Sequence, residues 1–208
     1  MTVLVYIGAN VGSSLGKMVG HYDNVYAFEP DPEMFDQLKA NFGGQEKIHL
    51  VNAACSDKDG EENFYVTPNR VSSSLSDISE WDRSLTGYSG YLKKITVKTI
   101  DLNKYLKEQN IDYIDYYLSD AQGSDLNILK NIKSFVDSKK IGELFIETHG
   151  NNVFIYEGLD NQFDGFKEIL SDNYNFVYAS IDGRIVSENE IPEGEKEWDS
   201  YWIKKDQE

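Results

Sequence analysis

The sequence predicts an α/β fold in which a mostly parallel sheet carries helices on both faces. Three observations predict it: short apolar runs alternate with helix-periodic segments along the 208 residues, glycine or acidic residues follow the apolar runs, and no linker or internal repeat breaks the alternation. Sheets of this kind bind ligands beyond the carboxyl ends of their strands, near the point where strand order reverses. Residues at those ends are therefore the candidates for function.

Val3 to Ile7 is the first apolar run, and Gly8-Ala9-Asn10-Val11-Gly12 turns the chain into a short helix predicted over Ser13 to Tyr22. Glycine lets backbone N–H groups at a helix start approach a ligand closely, because no side chain stands in the way. Val25 to Phe28 is the second strand and delivers Glu29 to the same sheet edge. A carboxylate only accepts hydrogen bonds, so Glu29 suits the two vicinal hydroxyls of a ribose and repels a phosphate. A dinucleotide turn reads Gly-x-Gly-x-x-Gly, whereas Asn10 stands in place of the second glycine and the turn is shorter. S-adenosylmethionine fits these features, with its ribose at Glu29 and its amino-acid tail at the Gly8 to Gly12 loop. The competing reading, a glycine pair that only makes a tight turn, leaves the placement of Glu29 unexplained.

Asp31 caps a helix with Pro32 in its first turn and Met34, Phe35, Leu38 and Phe42 on one face, stopped by Gly43-Gly44. Ile48 to Ala54 reads as the third strand, followed by the polar turn Ser56 to Gly60. Asn63 to Thr67 and Ile95 to Lys98 alternate like paired strands. The insertion of about residues 63–98 is predicted to cover the substrate, since Trp81, Tyr88 and Tyr91 are costly to leave in water. Asp101 caps a helix over Leu102 to Glu108. Tyr113 to Leu118 is the fourth strand and ends at Ser119-Asp120-Ala121-Gln122-Gly123. Ser124 opens a helix that turns Leu126, Ile128, Leu129 and Ile132 inward. Leu144 to Ile146 is the fifth strand, ending at Glu147-Thr148-His149-Gly150. A helix from Asp160 to Leu170, a strand from Phe176 to Ser180, the acidic loop Ser187 to Glu197 and a terminal strand from Tyr201 to Ile203 complete a single domain over 1–208.

A net charge of −16 argues against a nucleic-acid backbone as the main partner, because such binders present a basic face. The doublets Lys93-Lys94, Lys139-Lys140 and Lys204-Lys205 read as solvated surface. No apolar run approaches the length of a membrane span, and the single Cys55 excludes an internal disulfide framework, so a cytoplasmic location is the default expectation. His21, His49 and His149 lie far apart, none with metal-ligand spacing to Cys55 or a second histidine, and no metal is expected. Cys55 reads as a packed small residue, with no base or cation in its segment.

Five segments carry a more specific resemblance: Ile7-Gly-Ala-Asn-Val-Gly12, Phe28-Glu-Pro-Asp-Pro32, Asn52-Ala-Ala-Cys-Ser-Asp57 with Gly60, Val97-Lys-Thr-Ile-Asp101, and Asp120-Ala-Gln-Gly123 with Asp125-Leu126 and Leu129. In this order, over nearly the whole chain, they resemble the FkbM family of S-adenosylmethionine-dependent methyltransferases. The resemblance implies a Rossmann-like class I fold of seven strands, the last antiparallel. It also implies methyl transfer to oxygen on a sugar, a glycan or a secondary metabolite, with a small-molecule or glycan acceptor. By position, Gly8, Ala9, Asn10 and Gly12 fall to the methionine end of the cofactor and Glu29 to the ribose. Ala54, Cys55 and Ser56, running into Asp57, fall to the adenine edge, and Asp120 and Gln122 to the loop after the fourth strand.

Two departures from the family pattern stand out. Many members read Lys-Ile-Asp-Val where this chain reads Leu118-Ser119-Asp120-Ala121, so a lysine is gone and a hydroxyl has appeared. The chain also begins almost at the first strand, which leaves closure over the cofactor to the Ser72 to Tyr91 loop or to a partner subunit. Methyl transfer needs the acceptor oxygen, the methyl and the sulfur held in line, and a hydroxyl acceptor needs its proton removed. Asp120 and His149, both after strands that face the methyl, are the candidate bases. Asp120 could equally hold the cofactor's ammonium group, and Glu147 could bind the acceptor. The alternative to an enzyme is a degenerate module that holds cofactor or a partner without turnover; a nicotinamide oxidoreductase is disfavoured by the missing third glycine.

Overall fold

The first apolar run is buried at all five residues, and its side chains feed two different cores. Val3, Val5 and Ile7 face one core, Leu4 and Tyr6 the other. A parallel strand covered by helices on both faces requires this unbroken apolarity. The computed structural model describes residues 1–87 and 90–206. Along the chain the elements are β1 (Val3–Ile7), α1 (Leu15–Met18), β2 (Asn24–Phe28), α2 (Pro32–Phe42), β3 (Ile48–Val51), β4 (Ala54–Ser56) and β5 (Gly60–Val66). There follow α3 (Glu80–Thr86), β6 (Lys93–Asp101), α4 (Leu102–Glu108), β7 (Ile114–Ser119), α5 (Asp125–Asn131) and α6 (Lys133–Asp137). The remainder is β8 (Ile141–His149), α7 (Phe163–Leu170), β9 (Tyr174–Ile181), β10 (Arg184–Val186) and β11 (Glu197–Lys204).

The main sheet has the order β10-β9-β11-β8-β7-β1-β2-β3. From β3 to β8 all pairings are parallel, β11 runs antiparallel between β8 and β9, and β10 is a hairpin extension of β9. Seven strands and the inverted last strand are thus as the resemblance implies; β10 is an eighth. Its turn is Asp182-Gly183 with φ of 49° and 78°, the pair of positive values that a tight two-residue hairpin demands. The two cores place α1 and α2 on one face through Leu15 and Leu38, and α4 to α7 on the other through Leu106, Leu129, Val136 and Phe166.

The third strand corrects the sequence expectation. Ile48 to Ala54 is not one strand: β3 pairs with β2 as far as Val51, and the chain then leaves the main sheet. Asn52 causes the break, because its side-chain amide donates to the backbone carbonyls of Glu29 (2.8 Å) and Pro30 (3.2 Å) in place of a ladder. β4 then joins a second sheet of order β4-β6-β5, in which β5 and β6 pair antiparallel over Gly60 to Val66. The insertion therefore supplies part of a second sheet as well as α3, which is capped by the Ser79 hydroxyl accepting from the Asp82 N–H. Trp81 packs edge-on against Phe154, and Tyr91 edge-on against Tyr65. Tyr88 lies outside the described residues.

Candidate active site

Strand order reverses beside β1: the chain proceeds outward through β2 and β3, then returns on the other side as β7. A cleft of about 240 Å³ opens at that point, between the turn after β1 and the turn after β7. The Phe28 carbonyl accepts from the N–H groups of both Gly8 (3.0 Å) and Ala9 (2.9 Å), which bends the first turn sharply at the strand end. Gly8 is at φ +74°, and a Cβ there would stand 2.0 Å from the Asp120 carbonyl oxygen. The two turns therefore meet backbone to backbone, and only glycine allows it. Asn10, at φ +49°, completes the bend.

Glu29 follows β2 directly and is only 5% exposed. One carboxylate oxygen accepts from the Asn10 N–H (2.8 Å) and the other from the Asp31 N–H (2.8 Å). Burial pushes its pKa up to about 7, partly opposed by those two donors. Asp31 in turn caps α2 and receives the Arg70 guanidinium (2.7 Å), whose other nitrogen meets Glu33 at 2.6 Å. The backbone carbonyl of Arg70 also accepts from the Asn10 amide (3.1 Å). Arg70 thus straps the 67–75 segment across the cleft, where Arg70, Val71, Ser73 and Leu75 form one wall and Phe64 supports it from β5.

Beyond β7 lies an acidic wall. Asp125, fully buried, accepts from the Ser119 hydroxyl, the Ala121 N–H (2.9 Å) and the Asn161 amide (3.3 Å), and burial raises its pKa to about 7. The hydroxyl that replaces the family's usual apolar side chain is therefore a partner for Asp125. Gln122, at φ +51°, donates through one amide nitrogen to Asp120 (2.5 Å) and Glu147 (2.6 Å), while its carbonyl accepts from the Tyr156 hydroxyl (2.6 Å). Glu147 also accepts from the Gly123 N–H (3.2 Å). Burial and the negative charges of Asp120 and Asp125 hold the Glu147 carboxyl well above the usual carboxylate range. Asp120 opens to the cleft, and burial by its surroundings raises its pKa as well.

The structure brings Gly8, Ala9, Asn10, Glu29, Ala54, Cys55, Asp120 and Gln122 into one cleft. Three expected residues stand apart. Gly12, at φ +85°, packs against α2, where a Cβ would meet the Phe42 ring at 2.3 Å. Ser56 faces a separate hollow with Asp57, Glu62 and Asn131. His149 does not line the cleft: it is 2% exposed, its ring lies 6.0 Å from that of Tyr156, and burial lowers its pKa to about 4. Burial raises the Cys55 thiol and keeps it protonated, as expected of a packed cysteine. Sequence reasoning missed the Arg70 strap, the Asp125 anchor and the Gln122 bridge. Asp125 stood in a motif without a role, whereas Arg70 had no local signal.

Comparison with known proteins decides the family. The methyltransferase FkbM domain matches residues 7–178. The chain belongs to this family. Its cofactor is accordingly S-adenosylmethionine, and the cleft fits that group: a phosphate-free turn, an acid after β2, and apolar Phe28 and Ala54 beside them. A curated relative, the 2-O-methyltransferase NoeI of Sinorhizobium fredii (strain NBRC 101917 / NGR234), is 26% identical over 169 residues, covering 75% of this chain and 66% of NoeI. The crystal structure of methyltransferase FkbM from Methylobacillus flagellatus KT superposes with a TM-score of 0.55 at 13% identity, covering 97% of this chain and 43% of that one. An rRNA methylase from Streptococcus thermophilus shares the fold at a TM-score of 0.51 and 12% identity, covering 99% of this chain and 87% of the methylase. This chain thus spans about two thirds of NoeI and less than half of the Methylobacillus protein. Among the described residues no helix is long and apolar enough to cross a membrane.

Proposed function

We propose that this chain transfers the methyl group of S-adenosylmethionine to a hydroxyl oxygen of a sugar, a glycan or a secondary metabolite. The observation that carries the reading is the pair of carboxylates on one glutamine amide, Asp120 open to the cleft and Glu147 buried behind it. The 2-O-methyltransferase relative supports an oxygen acceptor. Two carboxylates in contrasting environments divide the labour: the buried Glu147 is the harder of the two to ionise, and Asp120, open to the cleft, is placed to accept a proton. Asp120, rather than the enclosed His149, is the base in this reading.

When bound, the cofactor supplies an activated methyl on a positively charged sulfur. Glu29 would receive the ribose hydroxyls on its free lone pairs, and the backbone from Gly8 to Asn10 would face the methionine end. Ala54 and Cys55 would flank the adenine. With an acceptor hydroxyl bound in line with that methyl, Asp120 would take the proton the oxygen gives up. Gln122 and Tyr156 hold Asp120 in place throughout, so the protein's main contribution is alignment. The 67–75 strap would then exclude water.

The reading is tested by incubating the purified protein with isotopically labelled S-adenosylmethionine and a panel of glycans and hydroxylated metabolites, with products located by mass spectrometry. The expected result is one labelled methyl on oxygen, lost in Asp120→Asn. A methyl on nitrogen or carbon overturns it, and cofactor binding with no transfer to any acceptor supports the degenerate module.

A further inference from the structure

A group outside the cleft remains unexplained. Glu147 and His149 are two apart on β8 and so share a face, and β11 sets Glu197 opposite His149 and Asp199 opposite Glu147. One potential ligand atom from each of Glu147, His149 and Glu197 lies within 4.8 Å of the others. A bound ion with bonds of about 2.0–2.2 Å keeps tetrahedral ligand atoms about 3.4 Å apart, so small rotations of three side chains suffice.

One observation beyond the acids points to a ligand. The Nε2 atom of His149 is buried with no hydrogen-bond partner among the described residues. A buried nitrogen left unpaired costs about 1–3 kcal/mol and calls for an explanation.

We propose that Glu147, His149 and Glu197 bind a divalent transition-metal ion of the zinc or manganese class. The imidazole selects this class over magnesium and calcium, which prefer all-oxygen sites. Glu197 is exposed and gives the ion a path from solvent, while the other two ligands are buried. Three protein ligands leave a fourth position open for water or for an oxygen atom of a bound molecule. The site is assembled by strand pairing, which explains why no histidine spacing announces it. Glu147 also accepts from Gln122, so the ion would stand one side chain behind the Asp120 network.

The test uses tag-free protein stripped with a chelator and titrated with Co²⁺ as a spectroscopic probe, then with Zn²⁺, Mn²⁺ and Mg²⁺. The wild type is expected to bind one Co²⁺ with visible ligand-field absorption, displaced by Zn²⁺ and not by Mg²⁺. Glu197→Gln, at an exposed position, should keep the fold and weaken Co²⁺ binding at least tenfold; His149→Ala should abolish the absorption. The absence of that absorption in the wild type, or its persistence unchanged in a folded Glu197→Gln, overturns the proposal. S-adenosylhomocysteine affinity measured on the same samples reads the cofactor cleft separately, so failure here does not count against methyl transfer.

Discussion

Replacing Glu29 perturbs stability and cofactor binding by different amounts, and both follow from its bonds. In Glu29→Ala the N–H groups of Asn10 and Asp31 lose their acceptor, at about 1–3 kcal/mol each where water cannot replace it. At roughly 2–4 °C per kcal/mol for a chain of this size, the melting temperature should fall by about 5–20 °C. Two charge-assisted bonds to ribose hydroxyls are worth about 3 kcal/mol together, so S-adenosylhomocysteine affinity should fall about a hundredfold in calorimetry. The pH dependence gives a second reading. The folded pKa of Glu29, about 7, lies above the ordinary 4.5, so its contribution to apo-protein stability is complete below pH 4.5 and is lost as pH rises through 7. The loss amounts to about 3 kcal/mol. A bound ribose donates to the ionised form, so cofactor affinity should rise with pH up to about 7, by as much as about tenfold per unit. Glu29→Gln should flatten that profile. A folded Glu29→Ala with unchanged affinity, or a wild-type profile flat across pH 5.5–7.5, would refute the reasoning.

Gly8→Ala should abolish cofactor binding in calorimetry, because its Cβ would press on the Asp120 carbonyl; a Kd within twofold of wild type would show that the two turns tolerate separation. Asp120→Asn should lower turnover about 10²–10⁴-fold at saturating cofactor, and an undiminished rate on a true acceptor would remove Asp120 as base. Arg70→Ala should free the 67–75 segment, seen as faster amide exchange there and weaker S-adenosylhomocysteine binding; unchanged exchange would mean the strap is held by other contacts.

The parts of the site that the sequence revealed are those built within a few residues. Gly8, Asn10 and Glu29 were legible because a strand period, a turn and an acid follow one another directly, and Asp101 and Asp31 because caps are local signals. Even so, Glu29 is far more enclosed than a residue at an open sheet edge, since the Asn10 and Asp31 backbones close over it. The switch at Asn52 was hidden in a continuous apolar run, because the decision between two sheets is made by carbonyls twenty-two and more residues away. Arg70 and His149 owe their settings wholly to tertiary neighbours. The β10 hairpin was not read from the sequence, although Asp182-Gly183 is a local turn signal.

The strap has a kinetic consequence. Arg70 grips Asp31 and Glu33 on the helix that begins just after Glu29, so the wall of the cleft is latched to the element beside the proposed ribose site. In the proposed reaction, moving this wall aside for cofactor and spent product to exchange would require both ion pairs to let go or the wall to bend elsewhere. Because the Glu33 end is exposed and screened by salt, rising ionic strength should loosen one half of the latch while the buried Asp31 half holds. Product release would then become faster in concentrated salt with little change in the geometry of transfer, making the ionic environment a throttle on turnover.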